Sequence, residues 1–281
     1  MARYTSWRVG GKADSFYVPV DLEDLQNFLK TVPMEQAIYF IGLGSNLLIR
    51  DGGIRGTVIL MHNVLTTLTR EGEAVFVEAG VTGAKLAKFC AKEHLQGAEF
   101  FAGIPGTLGG ALAMNAGCYG HETWEAVTRV TTIDRQGALH VREKNAFGIS
   151  YRHVEKPVPE EWFINAWLQF ESGDGDESSA KIKALLAKRL ASQPLNQPSA
   201  GSTFRNPQGD FAARLIEASG LKGYVMGGAQ VSEKHANFIV NLGHANALDI
   251  ELLIGHIRQT VLEKHGVMLE PEVKMIGEYL S

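Results

Sequence analysis

The run Glu99–Gly120, EFFAGIPGTLGGALAMNAGCYG, constrains this chain more than any other stretch. It carries six glycines among small or apolar side chains and almost no charge. A solvent loop would carry Asp, Lys or Ser. A plain core helix would not open on Gly109-Gly110, because each interior glycine costs about 1 kcal/mol against alanine. Bare backbone instead lets N–H groups approach a flat or anionic ligand closely. Ile104-Pro105-Gly106 reads as a turn, with Thr107 as the N-cap of a following helix. Two readings fit this segment equally: a turn and helix start laid against a large cofactor, or a tight turn with a close helix contact.

A second glycine loop upstream tips the balance toward the cofactor. Ala37–Ile41 reads as a buried strand that runs into Gly42-Leu43-Gly44-Ser45-Asn46. Gly42, Gly44, Ser45 and Asn46 offer a backbone nest and two short polar side chains, suited to a pyrophosphate. The dinucleotide-binding fingerprint is not present: the third glycine is missing and another strand-like run follows. Taken alone, this Gly-x-Gly reads as a hairpin turn.

The rest of the chain is an α+β pattern. Asp21–Thr31 reads as a helix capped by Asp21, with Leu22, Leu25, Phe28 and Leu29 on one face. Period-two alternation predicts strands at Asp14–Pro19, Thr57–Met61, Thr67–Arg70, Ala74–Glu78, Ala126–Asp134, Ala138–Arg142 and Trp162–Phe170. Gly83–Glu93 is an amphipathic helix. The acidic run Glu171–Ser179 reads as a linker, followed by a basic-faced helix over Ala180–Leu190. Helices are expected at Asp210–Ala218 and Ala247–His265, strands at Gln230–Val231 and Phe238–Asn241, and a closing strand over Val267–Met275.

Composition excludes several classes. With 281 residues the chain can bury a large core, and its net charge of −4 leaves no basic footprint for nucleic acid. No apolar run approaches the ~20 residues of a membrane span, and MARYTSWRVGG lacks the apolar core of a secretion signal, so a cytoplasmic protein is expected. The only cysteines are Cys90 and Cys118, and the histidines form no spaced pair, so no metal site and no disulfide framework is indicated. No obligate protein partner is evident.

Three short segments stand out beyond the glycine loops: Gly148-Ile149-Ser150-Tyr151-Arg152, Ser199 to Pro207 (SAGSTFRNP), and Leu269-Glu270-Pro271-Glu272-Val273. Singly, each has a plain explanation: a surface ion pair for Arg152, a turn residue for Ser202, a solvent-facing strand residue for Glu272. Together, the ordered series TSWRVGG, GLGSNLL, GIPGTLGGALAMNAG, SYR, AGSTFRNP and LEPEV resembles the UDP-N-acetylenolpyruvoylglucosamine reductase family, from about Thr5 to Gly277.

The resemblance implies an FAD-binding fold of the vanillyl-alcohol-oxidase (PCMH) type with a C-terminal α+β substrate-binding lobe. It implies FAD-binding subdomains at 1–56 and 57–175 and a substrate-binding domain at 176–272, with 273–281 returning to the first. It further implies non-covalent FAD, NADPH as co-substrate and a nucleotide-sugar substrate. The implied cofactor contacts are Gly42, Gly44, Ser45, Asn46, Gly103, Gly106, Thr107, Gly109, Gly110, Asn115 and Gly117. The implied catalytic residues are Arg152, holding the charge of an enolate, Ser202, donating a proton to C2, and Glu272, acting with Arg152. Tyr151, Asn206, Lys222 and His235 are the implied substrate contacts. Lys222, after Gly220-Leu221, also reads as a helix C-terminal partner, and His235 as a packed or capping histidine.

One departure marks the shorter type of the family. Longer members carry an insertion after Ser-Tyr-Arg whose tyrosine closes over the substrate, and here no tyrosine occurs between Arg152 and Tyr224. Two other readings share the features above: a flavin-dependent alcohol oxidase of the same fold, in which Cys118 would be the residue for a covalent flavin link, and a non-catalytic nucleotide-sugar binder.

Overall fold

The computed structural model describes Met1–Leu280, which form two compact units. One unit comprises Phe16–Gly42 and Val58–Lys188; the other comprises Met1–Ser15, Leu43–Thr57 and the residues from Arg189 onward. No helix among the described residues is long and apolar enough to cross a membrane.

The unit containing Val58–Lys188 is built on a five-stranded antiparallel sheet in the order Leu139–Glu143, Val127–Asp134, Glu161–Gln169, Ala74–Glu78, Leu68–Glu71. Alternating residues of its strands bury Val75, Val77, Val130, Ala166 and Leu168. That is the period-two signal that predicts the strands. Helix α1 (Leu22–Leu29) starts at Asp21, whose carboxylate accepts the Asp24 N–H at 2.8 Å, and buries Leu25 and Leu29. Helix α2 (Gly83–Lys92) buries Leu86, Ala87 and Cys90. Helix α3 (Leu108–Met114) carries the glycine pair, and the single turn α4 (Thr123–Ala126) places Trp124 in the core, its indole N–H donating to the Leu112 carbonyl at 2.8 Å.

Helix α5 (Gly175–Ser192) corrects the sequence reading. The acidic run is no linker: Glu171–Ser172 pairs with Leu95–Gln96, and the helix begins at Gly175. The Asp174 carboxylate accepts the N–H of Asp176 at 2.7 Å and of Glu177 at 3.3 Å. Asp176 and Glu177 sit in the first turn, where acidic charge complements the helix dipole. The compact units divide at Lys188/Arg189, within this helix, and residues 16–42 group with 58–188.

The other unit packs helix α6 (Ala212–Ala218) and helix α7 (Ala247–His265) with a three-stranded antiparallel sheet of Val225–Met226, Ala229–Val231 and Ile239–Asn241. Ile250, Leu253, Ile254, Ile257 and Val261 of α7 are buried with Phe204, Leu215 and Trp7. Asn246 and Asp249 form a capping box at the start of α7, and Asp51 accepts the Ala247 and Leu248 N–H groups at 3.0 Å each. The segment TSWRVGG is a brace: the Trp7 indole donates to the Ile239 carbonyl and Asn241 donates to the Trp7 carbonyl, both at 2.8 Å. The expected closing strand shrinks to Lys274–Ile276, which pairs in parallel with Leu47–Ile49. Pro271 has no N–H for a ladder, and Phe204 meets it only in an isolated bridge.

Candidate active site

In the unit holding α1 to α3, the strand Ile38–Ile41 delivers Gly42 against Thr107. A Cβ on Gly42 would lie 2.3 Å from the Thr107 hydroxyl oxygen, so only glycine fits there. Thr107 stands at the N-cap position of α3, but its hydroxyl makes no cap bond, contrary to the sequence reading. The helix start is tied down by backbone instead: the Leu108 N–H donates to the Val81 carbonyl at 2.8 Å and the Gly109 N–H to the Ala79 carbonyl at 2.9 Å. The Gly109 N–H, expected to face a ligand, is therefore occupied.

The two glycines of the pair have different uses. A Cβ on Gly109 would meet the Ala79 Cβ at 3.1 Å, so this glycine serves close packing. A Cβ on Gly110 would have no atom within 4 Å. No neighbour requires glycine there, although glycine costs about 1 kcal/mol inside a helix. Gly103 and Gly117 resemble Gly109: a Cβ would lie 2.8 Å from the Cys118 sulfur and 2.2 Å from the His121 carbonyl respectively. The Gly106 carbonyl accepts the Gly83 N–H at 3.2 Å.

Gly110 opens on a cavity of about 140 Å³ whose lining includes Phe40, Gly42, Thr107, Lys156 and Trp162. Phe40 and Trp162 stack with ring centroids 4.8 Å apart and planes 20° apart. The Lys156 ammonium donates to the Pro159 and Glu161 carbonyls and lies 6.0 Å from the centre of the Trp162 ring. Burial pushes its pKa below the ordinary lysine value. Flat aromatic surface, bare backbone and one half-buried cation form a donor set that fits FAD, with its planar rings and anionic pyrophosphate. Nothing in the sequence pattern singled out Phe40, Lys156 or Trp162.

The Arg152 guanidinium is set at the edge of the glycine stretch. Gly148–Ser150 and His153–Glu155 form a hairpin in which Ser150 pairs with His153, leaving Tyr151 and Arg152 as its tip. Arg152 has φ 56°, a left-handed conformation uncommon for a non-glycine residue. Its Nη1 donates to the Asn115 carbonyl and to Glu122 Oε1, both at 3.2 Å, and its Nη2 to the Gly117 carbonyl at 2.6 Å. The guanidinium carbon lies 4.7 Å from the centre of the exposed Tyr151 ring. Asn115, expected at the cofactor, is a buried brace. It takes the left-handed C-cap of α3, its Nδ2 donates to Glu122 Oε2 at 2.7 Å and to the Ser150 carbonyl at 3.2 Å, and its Oδ1 accepts the Trp124 N–H at 3.1 Å.

In the other unit, the segments that carry Ser202 and Glu272 pair through their backbones. The Glu272 N–H donates to the Thr203 carbonyl at 2.8 Å and the Arg205 N–H to the Glu270 carbonyl at 2.9 Å. The buried Asn237 clamps this ladder from behind: Oδ1 accepts the Phe204 N–H at 2.9 Å and Nδ2 donates to the Phe204 carbonyl at 2.8 Å. The Gly44–Asn46 loop joins the same cluster. Asn46 Nδ2 donates to the Glu272 carbonyl at 3.1 Å, and the Lys274 N–H donates to the Asn46 carbonyl at 2.9 Å. Gly44 has φ +61°, and a Cβ there would lie 2.0 Å from the Tyr4 carbonyl oxygen. Ser45 is half-buried beside it.

The remaining expected substrate contacts have structural partners. The Asn206 side-chain oxygen accepts the Ala212 N–H at 3.1 Å, at the start of α6. Lys222 is exposed and pairs with Glu217 at 3.0 Å. His235 accepts the Asn237 N–H at Nδ1 over 3.3 Å and packs edge-on against Phe238, its pKa lowered by burial and then by Lys222. Cys118, the residue considered for a covalent flavin, donates its thiol to the Phe100 carbonyl at 3.1 Å.

Known proteins match this arrangement along the whole chain. Residues 13–142 match the FAD binding domain, and residues 193–276 match the C-terminal domain of UDP-N-acetylenolpyruvoylglucosamine reductase. The UDP-N-acetylenolpyruvoylglucosamine reductases of Alkalilimnicola ehrlichii and Thiobacillus denitrificans are similar to it. The first is 56% identical, over 100% of this chain and 94% of its own length; the second is 54% identical, over 99% and 90%. The crystal structure of the Thermus caldophilus enzyme superimposes with a TM-score of 0.83 at 32% identity, covering 98% of this chain and 96% of that one. The chain belongs to the UDP-N-acetylenolpyruvoylglucosamine reductase family, with its FAD-binding fold.

Proposed function

We propose that the chain reduces the enolpyruvyl ether of UDP-N-acetylglucosamine to UDP-N-acetylmuramate in the cytoplasm, in peptidoglycan precursor synthesis, with NADPH and non-covalent FAD. Bound FAD would supply the hydride chemistry between NADPH and C3 of the enolpyruvyl group. The remaining work falls to side chains. Hydride addition at C3 places negative charge on C2 and the carboxylate. Arg152 meets that charge with a planar fork suited to a carboxylate. Charge arranged in advance where it develops is commonly the largest catalytic contribution. Ser202 gives its hydroxyl proton to C2; a hydroxyl is a weak acid, and the strongly basic enolate carbon makes the transfer workable. Glu272 acts with Arg152 on the enolic intermediate.

Gly42, Gly44, Ser45, Asn46 and Gly110 line the cofactor in this reading. Tyr151 and Lys222 are kept as substrate contacts, because both are exposed and an exposed ion pair such as Lys222–Glu217 is worth little and readily exchanged. The observation that supports the reading is the pairing of the segment after Ser202 with the segment that carries Glu272, clamped by Asn237. The test is spectroscopic. The purified protein should be yellow and should release FAD into the supernatant on acid precipitation. Under anaerobic conditions NADPH should bleach the flavin band, and the enolpyruvyl nucleotide sugar should restore it. Flavin that stays with the precipitated protein would favour the alcohol oxidase reading. A colourless protein that oxidises no NADPH would favour the non-catalytic binder.

A further inference from the structure

We infer that Glu122 is a positioning residue for Arg152. The inference rests on the reading of Arg152 as the residue that meets the substrate's developing charge. Glu122 lies on the two-residue strand His121–Glu122, paired with Gly117–Cys118 so that Glu122 stands opposite Gly117. That register puts its carboxylate between two partners. Oε1 accepts from the Arg152 guanidinium at 3.2 Å, and Oε2 accepts from the Asn115 amide at 2.7 Å. Asn115 in turn donates to the carbonyl of Ser150, two residues before Arg152. The contacts therefore close on themselves: carboxylate to guanidinium, carboxylate to amide, amide to the hairpin that carries the arginine.

Such a circuit has a purpose for a residue placed as Arg152 is. It stands at a hairpin tip in a left-handed conformation, where glycine is the usual occupant, so the backbone is held there for the sake of the side chain. A long side chain at a hairpin tip has many rotamers to lose. Two carbonyls, Asn115 and Gly117, accept from Nη1 and Nη2 respectively, but they carry no net charge. Only the carboxylate adds a charge that is shared with the loop through Asn115, and so couples the guanidinium plane to the hairpin. Preorganisation of this kind lowers the barrier by placing the cation before charge develops, and contributes less to ground-state binding.

The experiment compares Glu122→Ala, Glu122→Asp, Arg152→Ala and the double variant E122A/R152A, each as the flavin-loaded enzyme. Three measurements are made: flavin reduction by NADPH, flavin reoxidation by the enolpyruvyl substrate, and calorimetric binding of that substrate to the oxidised enzyme, in which no turnover occurs. Glu122→Ala should slow reoxidation about 10-fold or more at saturating substrate, with NADPH reduction and substrate binding each within about threefold of the parent. Glu122→Asp keeps a carboxylate and should recover part of the loss. In the Arg152→Ala background, removing Glu122 should cost little further, because the effect runs through the arginine. Fully additive losses, or NADPH reduction slowed as much as reoxidation, would overturn the inference while leaving the role of Arg152 intact. Should Glu122→Ala fail to fold, unchanged reoxidation in Glu122→Asp despite its shorter reach would overturn it equally. Normal reoxidation in Arg152→Ala would instead remove Arg152 from the mechanism, and the inference with it.

Discussion

The carbonyl of Thr203 accepts the N–H of Glu272 at 2.8 Å, so the residue next to Ser202 and the acid at position 272 share one backbone hydrogen bond. Neither segment is regular secondary structure on its own. What holds them is Asn237, whose amide satisfies both backbone groups of Phe204 from the buried side. A buried polar group left without its partner costs about 1–3 kcal/mol. Asn237→Ala orphans two, and should destabilise the protein by roughly 2–4 kcal/mol in urea unfolding, on that basis. An unchanged midpoint would show that the ladder stands without its clamp.

Ser202→Ala separates the two halves of the proposed reaction. Flavin content and reduction by NADPH should remain near those of the parent, since neither needs a proton donor at C2. Reoxidation by the enolpyruvyl substrate should fall by at least the ~10²–10⁴-fold typical of general acid catalysis. Ser202→Cys should keep a little activity. Stopped-flow absorbance reads both halves on one sample, and equal slowing of the two would make Ser202 a shaping residue only.

Arg152→Lys removes the fork and keeps the charge. The lysine ammonium presents no planar pair to a carboxylate, and it loses the simultaneous bonds to Asn115, Gly117 and Glu122. The limiting rate of reoxidation should drop well beyond any rise in KM, the sign of an interaction made mainly in the transition state. A pure KM effect would assign Arg152 to ground-state binding.

The helix faces and several strands were legible because each follows from a local rule: period two for Ala74–Glu78, an Asx cap for α1, an apolar stripe for α7. What could not be read depends on contacts distant in sequence. Whether a glycine serves packing or leaves room is decided by a neighbour: Ala79 for Gly109, empty space for Gly110. The bracing role of Asn115 shows only once Glu122, Trp124 and Ser150 are found around it. The acidic run before α5 misled because its charges suit a linker and a helix N-terminus equally. The buried Ser178–Glu99 bond at 2.8 Å, across 79 residues, is where it is anchored.

Gly42→Ala tests the close approach to Thr107. The added methyl would sit 2.3 Å from the Thr107 hydroxyl oxygen, so one of the two must shift within the cavity lining. Retention of FAD through gel filtration should fall sharply in Gly42→Ala and recover in part in Gly42→Ala/Thr107→Ala, which removes that oxygen. Full retention in the single variant would place the flavin elsewhere.

Glu99 predicts one part of the acid limb of stability. Burial raises the pKa of its carboxyl, but Ser178, Lys181 and the Gly97 N–H more than offset this and hold it below the ordinary value of 4.5. A folded pKa below the unfolded one gives stability that is complete above 4.5 and is lost as pH falls through the folded value. Glu99→Gln should therefore be less stable than the parent at about pH 7, and the gap should narrow towards about pH 3. Denaturant titrations at the two pH values measure it, and a gap independent of pH would assign the loss to packing.

The parallel pairing of Lys274–Ile276 with Leu47–Ile49 sets a clock on biosynthesis. Asn46 and Glu272, joined by a hydrogen bond, lie 226 residues apart in sequence. At roughly 5–20 residues per second, the Gly44–Asn46 loop leaves the ribosome some 10–45 s before its partner strand exists. In the last part of that interval, once Lys188 has been made, Val58–Lys188 holds every strand of its five-stranded sheet, while the loop still has none of its strand. Any pause late in translation prolongs the time for which the Gly44–Asn46 loop stands without that strand.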